Sequence, residues 1–298
     1  MKTSNVFLTL ALTLPVLASA LGVAAGLPSA KDAGSGSGGF SQRIGHLLKV
    51  DGGPYVTVYD GTTPISDDLT LKVDASRLDL AFDPDLKNVA KIKVEAKQKE
   101  DANFSLQKDG FWFRPRDHAH GLRVSVTLPS QMASLDLTLN AGRCSVDAKV
   151  PVILNNFSIA LDAGSCDLSY KQLTSKKLHI TVNAGKLAFD AARLKSSFID
   201  ASVNAGKLGF DAGSVAIPAS GPRELHFSNA AGNSDIALHG LPEHGIVAKT
   251  SMGQLTLEHG KEVERLQGLG QNRTITASAG SPTVYLDVSM GKMDAHID

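Results

Sequence analysis

The feature that most constrains this chain is a short phrase that occurs four times in its middle. Each copy ends an alternating apolar run with Asn or Asp, then Ala and Gly, and the four glycines lie 22, 21 and 21 residues apart. They are Gly142, Gly164, Gly185 and Gly206. A repeat of this length buries its apolar face only when a neighbour covers it. The spacing therefore predicts an all-β chain wound into a β-solenoid with coils of about 21–22 residues.

Each copy of the phrase predicts a strand, a tight turn and a second strand. Leu135, Leu137 and Leu139 alternate with polar residues, so one face of that strand is expected to be buried. Ala-Gly after Asn or Asp suits a turn in which small residues adopt left-handed or bridge conformations. Weaker copies extend the pattern on both sides, at 73–78, 227–232, 250–255, 278–280 and 288–293.

Stacking in register would bring equivalent polar residues into columns. Amide side chains in such a column can hydrogen-bond along the stack. A second column would hold Lys186 and Lys207, with Asp190 and Asp211 placed to relieve their repulsion. We interpret both columns as structural, and glycan contact by the Lys and Asn rows is the functional alternative. The expected amide column consists of Asn140, Asp162, Asn183 and Asn204.

The two cysteines, Cys144 and Cys166, occupy the same phase of consecutive repeats, where Leu187 and Leu208 follow. Stacked strands lie about 4.8 Å apart, so the pair is expected on neighbouring inward positions within disulfide range. The oxidising conditions met by an exported protein favour a disulfide. Two buried thiols that act as small apolar side chains are the alternative.

The beginning of the chain predicts export. Lys2, an apolar run over 6–17 and the small-residue site Ala18-Ser19-Ala20 are typical of a signal peptide over residues 1–20. A retained N-terminal anchor is the alternative. Residues 21–39 are rich in Gly and Ser and predict a flexible linker, followed by a single β-solenoid domain over 40–298. We expect the protein in the periplasm, the outer envelope or on the cell surface.

The charge balance argues against nucleic acid and anionic membranes as partners. The sequence has thirty Lys and Arg residues and thirty Asp and Glu residues, so the chain has no net charge to steer it toward polyanions.

No hydrolase elbow, phosphate loop or dinucleotide fingerprint is present in the sequence. We therefore predict no catalytic residues.

The stretch from Val89 to Leu128 breaks the repeat rhythm. Residues 104–106 and 111–113 predict a β-hairpin insertion near 100–120. An aromatic and basic cluster follows its turn, and we expect it to cover an edge or an end of the solenoid. A recognition patch for a partner is the alternative. This cluster consists of Phe111, Trp112, Phe113, Arg114 and Arg116. Residues 260–269 could hold a short helix between two coils.

One stretch of sequence carries a family resemblance. An alternating strand over 122–128, a Pro-Ser pair and the run 135–142 resemble the putative adhesin and head-domain family of bacterial exported β-solenoids. The resemblance covers roughly residues 70–298. It implies a right-handed parallel β-solenoid on the cell surface or in the periplasm. It brings no catalytic residues to this chain.

Histidine carries the chemistry that the repeats do not explain. The spacing of His118 and His120 predicts two imidazoles on one side of an extended segment, an arrangement that suits copper or zinc. Folding is expected to bring further histidines to this pair from among His226, His239, His244 and His259.

Two classes of function follow. The leading hypothesis is a non-enzymatic structural or adhesin-like protein that contacts other envelope proteins or surface polysaccharide, and the membrane only through them. The alternative is a copper-binding redox enzyme that resembles copper-only superoxide dismutases. A polysaccharide-binding or polysaccharide-processing β-helix is a further alternative.

Overall fold

Strands dominate the part of the chain that the structure, a computed structural model, describes: residues 54–116 and 121–298. These two ranges contain a 3-10 turn at Lys99–Asp101 and no α-helix. The strands are β1 (Val56–Pro64), β2 (Asp68–Asp83), β3 (Val89–Ala96), β4 (Phe104–Gln107), β5 (Gly110–Phe113), β6 (Arg123–Pro129), β7 (Gln131–Leu161), β8 (Ser165–Val182), β9 (Lys186–Ala191), β10 (Leu194–Val203), β11 (Lys207–Ala212), β12 (Val215–Ala216), β13 (Glu224–Asn229), β14 (Asn233–Leu238), β15 (Gly245–Thr250), β16 (Gln254–His259), β17 (Glu262–Gln267), β18 (Gln271–Ile275), β19 (Thr283–Val288) and β20 (Lys292–Ile297).

All of these strands belong to one 20-stranded, mostly parallel sheet, in which two long ladders can be followed. Ladder A runs in the order 104–107, 110–113, 68–73, 134–139, 156–161, 177–182, 198–203, 224–229, 283–288, 245–250 and 271–275. Ladder B runs in the order 56–64, 89–96, 123–129, 77–83, 143–148, 165–170, 186–191, 207–212, 233–238, 292–297, 254–259 and 262–267. The inward side chains of both ladders form one apolar core.

The register of ladder B follows the repeat seen in the sequence. Cys144 pairs with Cys166, Cys166 with Leu187, and Leu187 with Leu208. These partners are 22, 21 and 21 residues apart, the same separations as the repeat glycines. Alternation along each strand then places every second side chain in the core.

The repeat glycines form a column in which successive turns touch through their backbones. A Cβ atom added to Gly206 would lie 2.4 Å from the carbonyl oxygen of Gly185, and one added to Gly185 would lie 2.7 Å from that of Gly164. Among the four, positive φ angles occur only at Gly142 and Gly164. The expected left-handed turn therefore explains two of the glycines, and close approach of the turns explains why all four lack a side chain.

The predicted amide column forms, with one interruption. Asn204 donates through Nδ2 to Oδ1 of Asn183 at 2.6 Å, and Asn183 donates in the same way to Asp162 at 2.6 Å. A carboxylate has no N–H to donate, so Asp162 cannot continue the chain toward Asn140. Asn140 donates instead to Asp74.

The lysine column also has a different ion-pair partner from the one expected. Lys186 and Lys207 pair across neighbouring strands. The ammonium of Lys207 lies 3.2 Å from a carboxylate oxygen of Asp235, on the next strand of ladder B. The sequence predicts that Asp190 and Asp211 relieve the Lys–Lys repulsion, whereas the structure places Asp235 beside Lys207.

Aromatic side chains connect successive strands inside the core. The rings of Phe189 and Phe210 stack with their centroids 4.6 Å apart, and Tyr170 lies 5.8 Å from Phe189. Phe210 meets Phe227 of ladder A edge to face at 5.3 Å. These contacts join the two ladders with the geometries that aromatic pairs favour.

The last strands in sequence do not lie last in the ladders. β19 lies between β13 and β15, and β20 lies between β14 and β16. The ladders then end on β17 and β18, which pair antiparallel to β16 and β15. The segment 260–269, predicted to be a short helix, is therefore mostly strand: it turns at Gly260, with φ of 61°, and pairs along the free edge of β16. Residues 278–280, predicted as a repeat turn, form the loop before β19.

The opposite end of ladder A contains the predicted hairpin. β4 and β5 pair antiparallel and turn between Gln107 and Gly110. β5 pairs in parallel with β2, so the hairpin covers an edge of the ladder.

The described residues contain no helix with the length and apolar character that a membrane span requires.

Candidate functional site

Several predicted features lie outside the described residues. They are the signal peptide over 1–20, the linker over 21–39, and the histidine pair His118 and His120. The copper site at that pair therefore stays a prediction. The four other histidines singled out above do lie in the described residues, and His239 is considered below.

The predicted aromatic and basic patch divides between core and surface. Phe111 and Phe113 are 1% and 0% exposed, whereas Trp112 is 39% exposed. Alternate residues of a strand point to opposite faces, so a run of three aromatic residues on β5 cannot share one surface. The side chains available for a partner are those of Trp112, Arg114 and Arg116, and the two phenylalanines belong to the core.

Cys144 and Cys166 are direct partners in ladder B, are fully buried, and are free cysteines in this structure. A hydrogen bond with Cys166, together with burial, raises the pKa of the Cys144 thiol well above its usual value. The thiolate is the reactive form of cysteine. Once the chain has folded, these thiols are therefore poorly reactive.

A depression lies on the outward face of ladder B in the described part of the chain, and we call it the ladder B groove. It has a volume of about 500 Å³ and crosses five neighbouring strands, β9, β11, β14, β20 and β16. Gly209 also faces outward in the groove. The outward side chains are those of Ala188, Asp190, Asp211, Asp235, Ala237, Thr256, Glu258, Asp294 and His296.

Small residues create the groove. Ala188 and Gly209 pair across β9 and β11, and Ala237 lies on the next strand, β14. A Cβ atom added to Gly209 would meet nothing within 4 Å, so this glycine is not required by close packing. Gly209 pairs with Asp235 on β14, whereas Ala237 pairs with Asp211. The short side chains leave an apolar floor at Ala188, Gly209 and Ala237, among longer polar residues.

Carboxylates line the groove, and basic groups of the chain pair with three of them. Lys207 lies 3.2 Å from Asp235, Lys292 lies 2.6 Å from Asp294, and His296 lies 3.0 Å from Glu258. The hydrogen bond to Asp294 raises the pKa of Lys292, and the hydrogen bond to Glu258 raises the pKa of His296. The groove therefore offers many hydrogen-bond acceptors with much of its negative charge already balanced.

A smaller depression of about 300 Å³ lies on the outward face of ladder A. His226 stacks on Tyr285 there, with ring centroids 4.4 Å apart and planes 7° from parallel, and Asp200 and Asp287 also line it. The stack covers one face of each ring, which reduces the aromatic surface that a ligand could contact. The ladder B groove is the better candidate site.

Sequence reasoning missed this groove. The segments 186–191 and 207–212 are related repeats, and each has a small residue at its third position. These residues, Ala188 and Gly209, are the sequence signal that could have located the first half of the groove. Its second half depends on β20 lying between β14 and β16. No repeat spacing predicts that order.

No protein-family model matches the chain, and no curated protein matches it. Solved structures similar to it include a putative adhesin from Parabacteroides merdae ATCC 43184, with a TM-score of 0.46 and 12% identity over 80% of this chain and 95% of that one. A putative adhesin from Parabacteroides distasonis ATCC 8503 has a TM-score of 0.41 and 11% identity over 82% and 98%. A putative adhesin from Bacteroides fragilis NCTC 9343 has a TM-score of 0.38 and 9% identity over 82% and 97%.

Proposed function

We propose that this chain is an exported, non-catalytic, adhesin-like protein that binds a polysaccharide in the ladder B groove. In this proposal the mature domain is a right-handed parallel β-solenoid with coils of about 21–22 residues. It works on the cell surface or in the envelope, beside other envelope proteins. The observation that carries the proposal is the groove itself, an open depression in which Ala188, Gly209 and Ala237 lie among longer polar side chains.

The dimensions of the groove suit an extended polymer. Five neighbouring strands span four strand spacings of about 4.8 Å, or roughly 19 Å along the ladder. Binding sites for small molecules and chain segments combine an apolar surface with a few well-placed polar groups. The floor at Ala188, Gly209 and Ala237 can pack against the C–H faces of sugar rings, and the carboxylates can accept hydrogen bonds from their hydroxyl groups.

The charge pattern favours a neutral polyhydroxyl chain over a basic peptide. Asp235 and Asp294 already have lysine partners within the protein, and Glu258 has a histidine partner. Asp190 and Asp211 are the remaining carboxylates of the groove. A cationic ligand would compete with those internal partners. A sugar hydroxyl can bind a carboxylate without displacing its lysine.

Gly209→Phe tests the proposal, because the open space above this glycine lets a large side chain fill the groove without a backbone clash. Ser145→Phe is the matched control, since Ser145 lies in the same outward column of ladder B, three strands before Gly209. Binding of the full chain to a glycan array, followed by calorimetry on each hit, gives the readout.

We expect Gly209→Phe to weaken glycan binding at least tenfold and Ser145→Phe to leave it unchanged. Equal binding by all three proteins would remove the groove from consideration. Binding of basic peptides in place of glycans would contradict the ligand class. Sugar release on incubation with envelope glycans would contradict the non-catalytic function.

A further inference from the structure

Two histidines and two carboxylates meet where three neighbouring strands of ladder B end, although the three strands are far apart in sequence. His239 follows β14, His296 lies on β20, Asp298 follows β20, and Glu258 lies on β16. One donor atom from each of His239, His296 and Asp298 lies within 4.8 Å of the other two. The insertion of β20 between β14 and β16 brings this cluster together.

We propose that His239, His296 and Asp298 bind a divalent transition metal ion of the zinc class, with Glu258 orienting His296. This site adjoins the ladder B groove, whose lining includes His296 and Glu258, but metal binding here does not depend on the glycan binding proposed for the groove. Imidazole nitrogen and carboxylate oxygen are ligands that Zn²⁺ accepts, and three protein ligands leave one tetrahedral position for water or another ligand.

The distances in the cluster fit such an ion. Nδ1 of His239 lies 3.0 Å from Oδ1 of Asp298, and Nε2 of His296 lies 3.4 Å from Oδ2 of the same carboxylate. Ligand bonds of about 2.0–2.1 Å in a tetrahedron place neighbouring ligand atoms about 3.3 Å apart. The two imidazole rings have centroids 5.3 Å apart, so both can approach a common ion by small side-chain rotations.

A second carboxylate holds one of the rings in place. Nδ1 of His296 lies 3.0 Å from Oε2 of Glu258, so its Nε2 faces Asp298. In metal sites the ring nitrogen that does not bind the metal is usually held by a carboxylate or a carbonyl group. Glu258 therefore acts as a positioning residue rather than as a ligand.

The backbone around the cluster is held by the sheet. The N–H of His239 donates to the carbonyl of Ala212 at 3.0 Å, and the N–H of Asp298 donates to the carbonyl of Leu238 at 3.1 Å. The carbonyl of Asp298 accepts from the N–H of Leu241 at 2.9 Å. A bound ion would join β14 to β20 through side chains as well as through backbone hydrogen bonds.

The chain offers a matched control for a simple ion pair. Nδ1 of His179 lies 3.0 Å from Oδ2 of Asp200 on the outward face of ladder A, and the two side chains are 49% and 37% exposed. His239 and Asp298 have similar exposures, 36% and 46%, and the same separation of 3.0 Å. If a histidine–carboxylate pair were enough to bind zinc, His179→Asn would have the same effect as His239→Asn.

The experiment is a calorimetric titration of the untagged full chain with Zn²⁺, together with the visible absorption of its Co²⁺ form. We expect about one ion per chain, with binding at least 100-fold weaker in His239→Asn and in Asp298→Asn and unchanged in His179→Asn. Glu258→Gln is expected to weaken binding by about 10- to 100-fold. His118→Ala combined with His120→Ala is expected to leave this site intact.

Thermal melting in EDTA identifies variants that have lost their fold, and those that melt like the wild type are the ones compared. Zn²⁺ should raise the Tm of the wild type and not that of His239→Asn. Failure of the wild type to bind Zn²⁺ at about 100 µM, or retention of binding in both ligand variants, would overturn the proposal. Loss of binding on replacing His118 and His120 alone would place the metal elsewhere. Neither result decides the glycan test, which compares Gly209→Phe with Ser145→Phe and leaves His239, His296 and Asp298 unchanged.

Discussion

Replacing Gly206 by alanine should destabilise the protein through backbone crowding alone. Its φ angle lies outside the left-handed region, so alanine adds no left-handed backbone strain. The added Cβ would lie 2.4 Å from the carbonyl oxygen of Gly185, about 1 Å short of ordinary contact at 3.4 Å, and 2.6 Å from Cγ1 of Val182. Relief requires the two turns to separate, which stretches the 2.8 Å hydrogen bond from the N–H of Lys207 to the carbonyl of Gly185.

The cost follows from two contributions. Overpacking in a close-packed interior costs about 1–3 kcal/mol, and a weakened hydrogen bond adds about 1 kcal/mol. We therefore expect Gly206→Ala to lower the free energy of unfolding by about 2–4 kcal/mol. For a domain of this size each kcal/mol lowers Tm by about 2–4 °C, which gives a fall of about 4–16 °C.

Gly209→Ala is the matched control, three residues further along the same repeat. Its Cβ meets nothing within 4 Å, and alanine restricts the unfolded chain, so we expect a gain of about 0.4–1 kcal/mol. Urea unfolding of the two variants, followed by circular dichroism, measures the difference. If Gly206→Ala proved no less stable than Gly209→Ala, the glycine column would not be explained by close approach.

Three further predictions concern the core. The hydroxyl of Tyr170 is buried without a hydrogen-bond partner among the described residues, so Tyr170→Phe should raise the free energy of unfolding by about 1 kcal/mol in urea titrations; a loss of stability would reveal a partner. Oxidative refolding should join Cys144 to Cys166 and add about 3 kcal/mol, read by mass spectrometry and melting with and without reductant, whereas the folded reduced protein should be alkylated slowly. Burial lowers the pKa of His244 below its usual 6.5, so its contribution to stability is full above that pH and is lost as the pH falls below it. His244→Gln should therefore lose less stability than the wild type between pH 7 and pH 5, and parallel pH curves for the two proteins would refute this.

Much of the fold is predictable from local sequence, because the repeat carries its own register. The pairing of Cys144, Cys166, Leu187 and Leu208 follows from equal spacing and from strand alternation. The hairpin of β4 and β5 is likewise contained within ten residues, 104–113. In both cases the residues that pair lie close in the chain, and turn chemistry brings them together.

The C-terminal order was not predictable from the same evidence. Each weak copy of the repeat can stack on any other, so sequence spacing alone does not decide which strand lies beside β14. The groove and the histidine cluster both depend on that order. His239 and His296 are 57 residues apart in sequence and share no motif, yet their rings lie 5.3 Å apart.

The insertion of β19 and β20 also has a kinetic consequence. In a stack wound in sequence order, each newly formed coil can settle on the one before it, and structure can grow steadily from one end. Here β13 and β14 have no permanent neighbour on their far side until residues 283–297 arrive, and β15 and β16 have none on their near side. The pairing of β13 to β16 is therefore completed only after residues 283–297 have been synthesised.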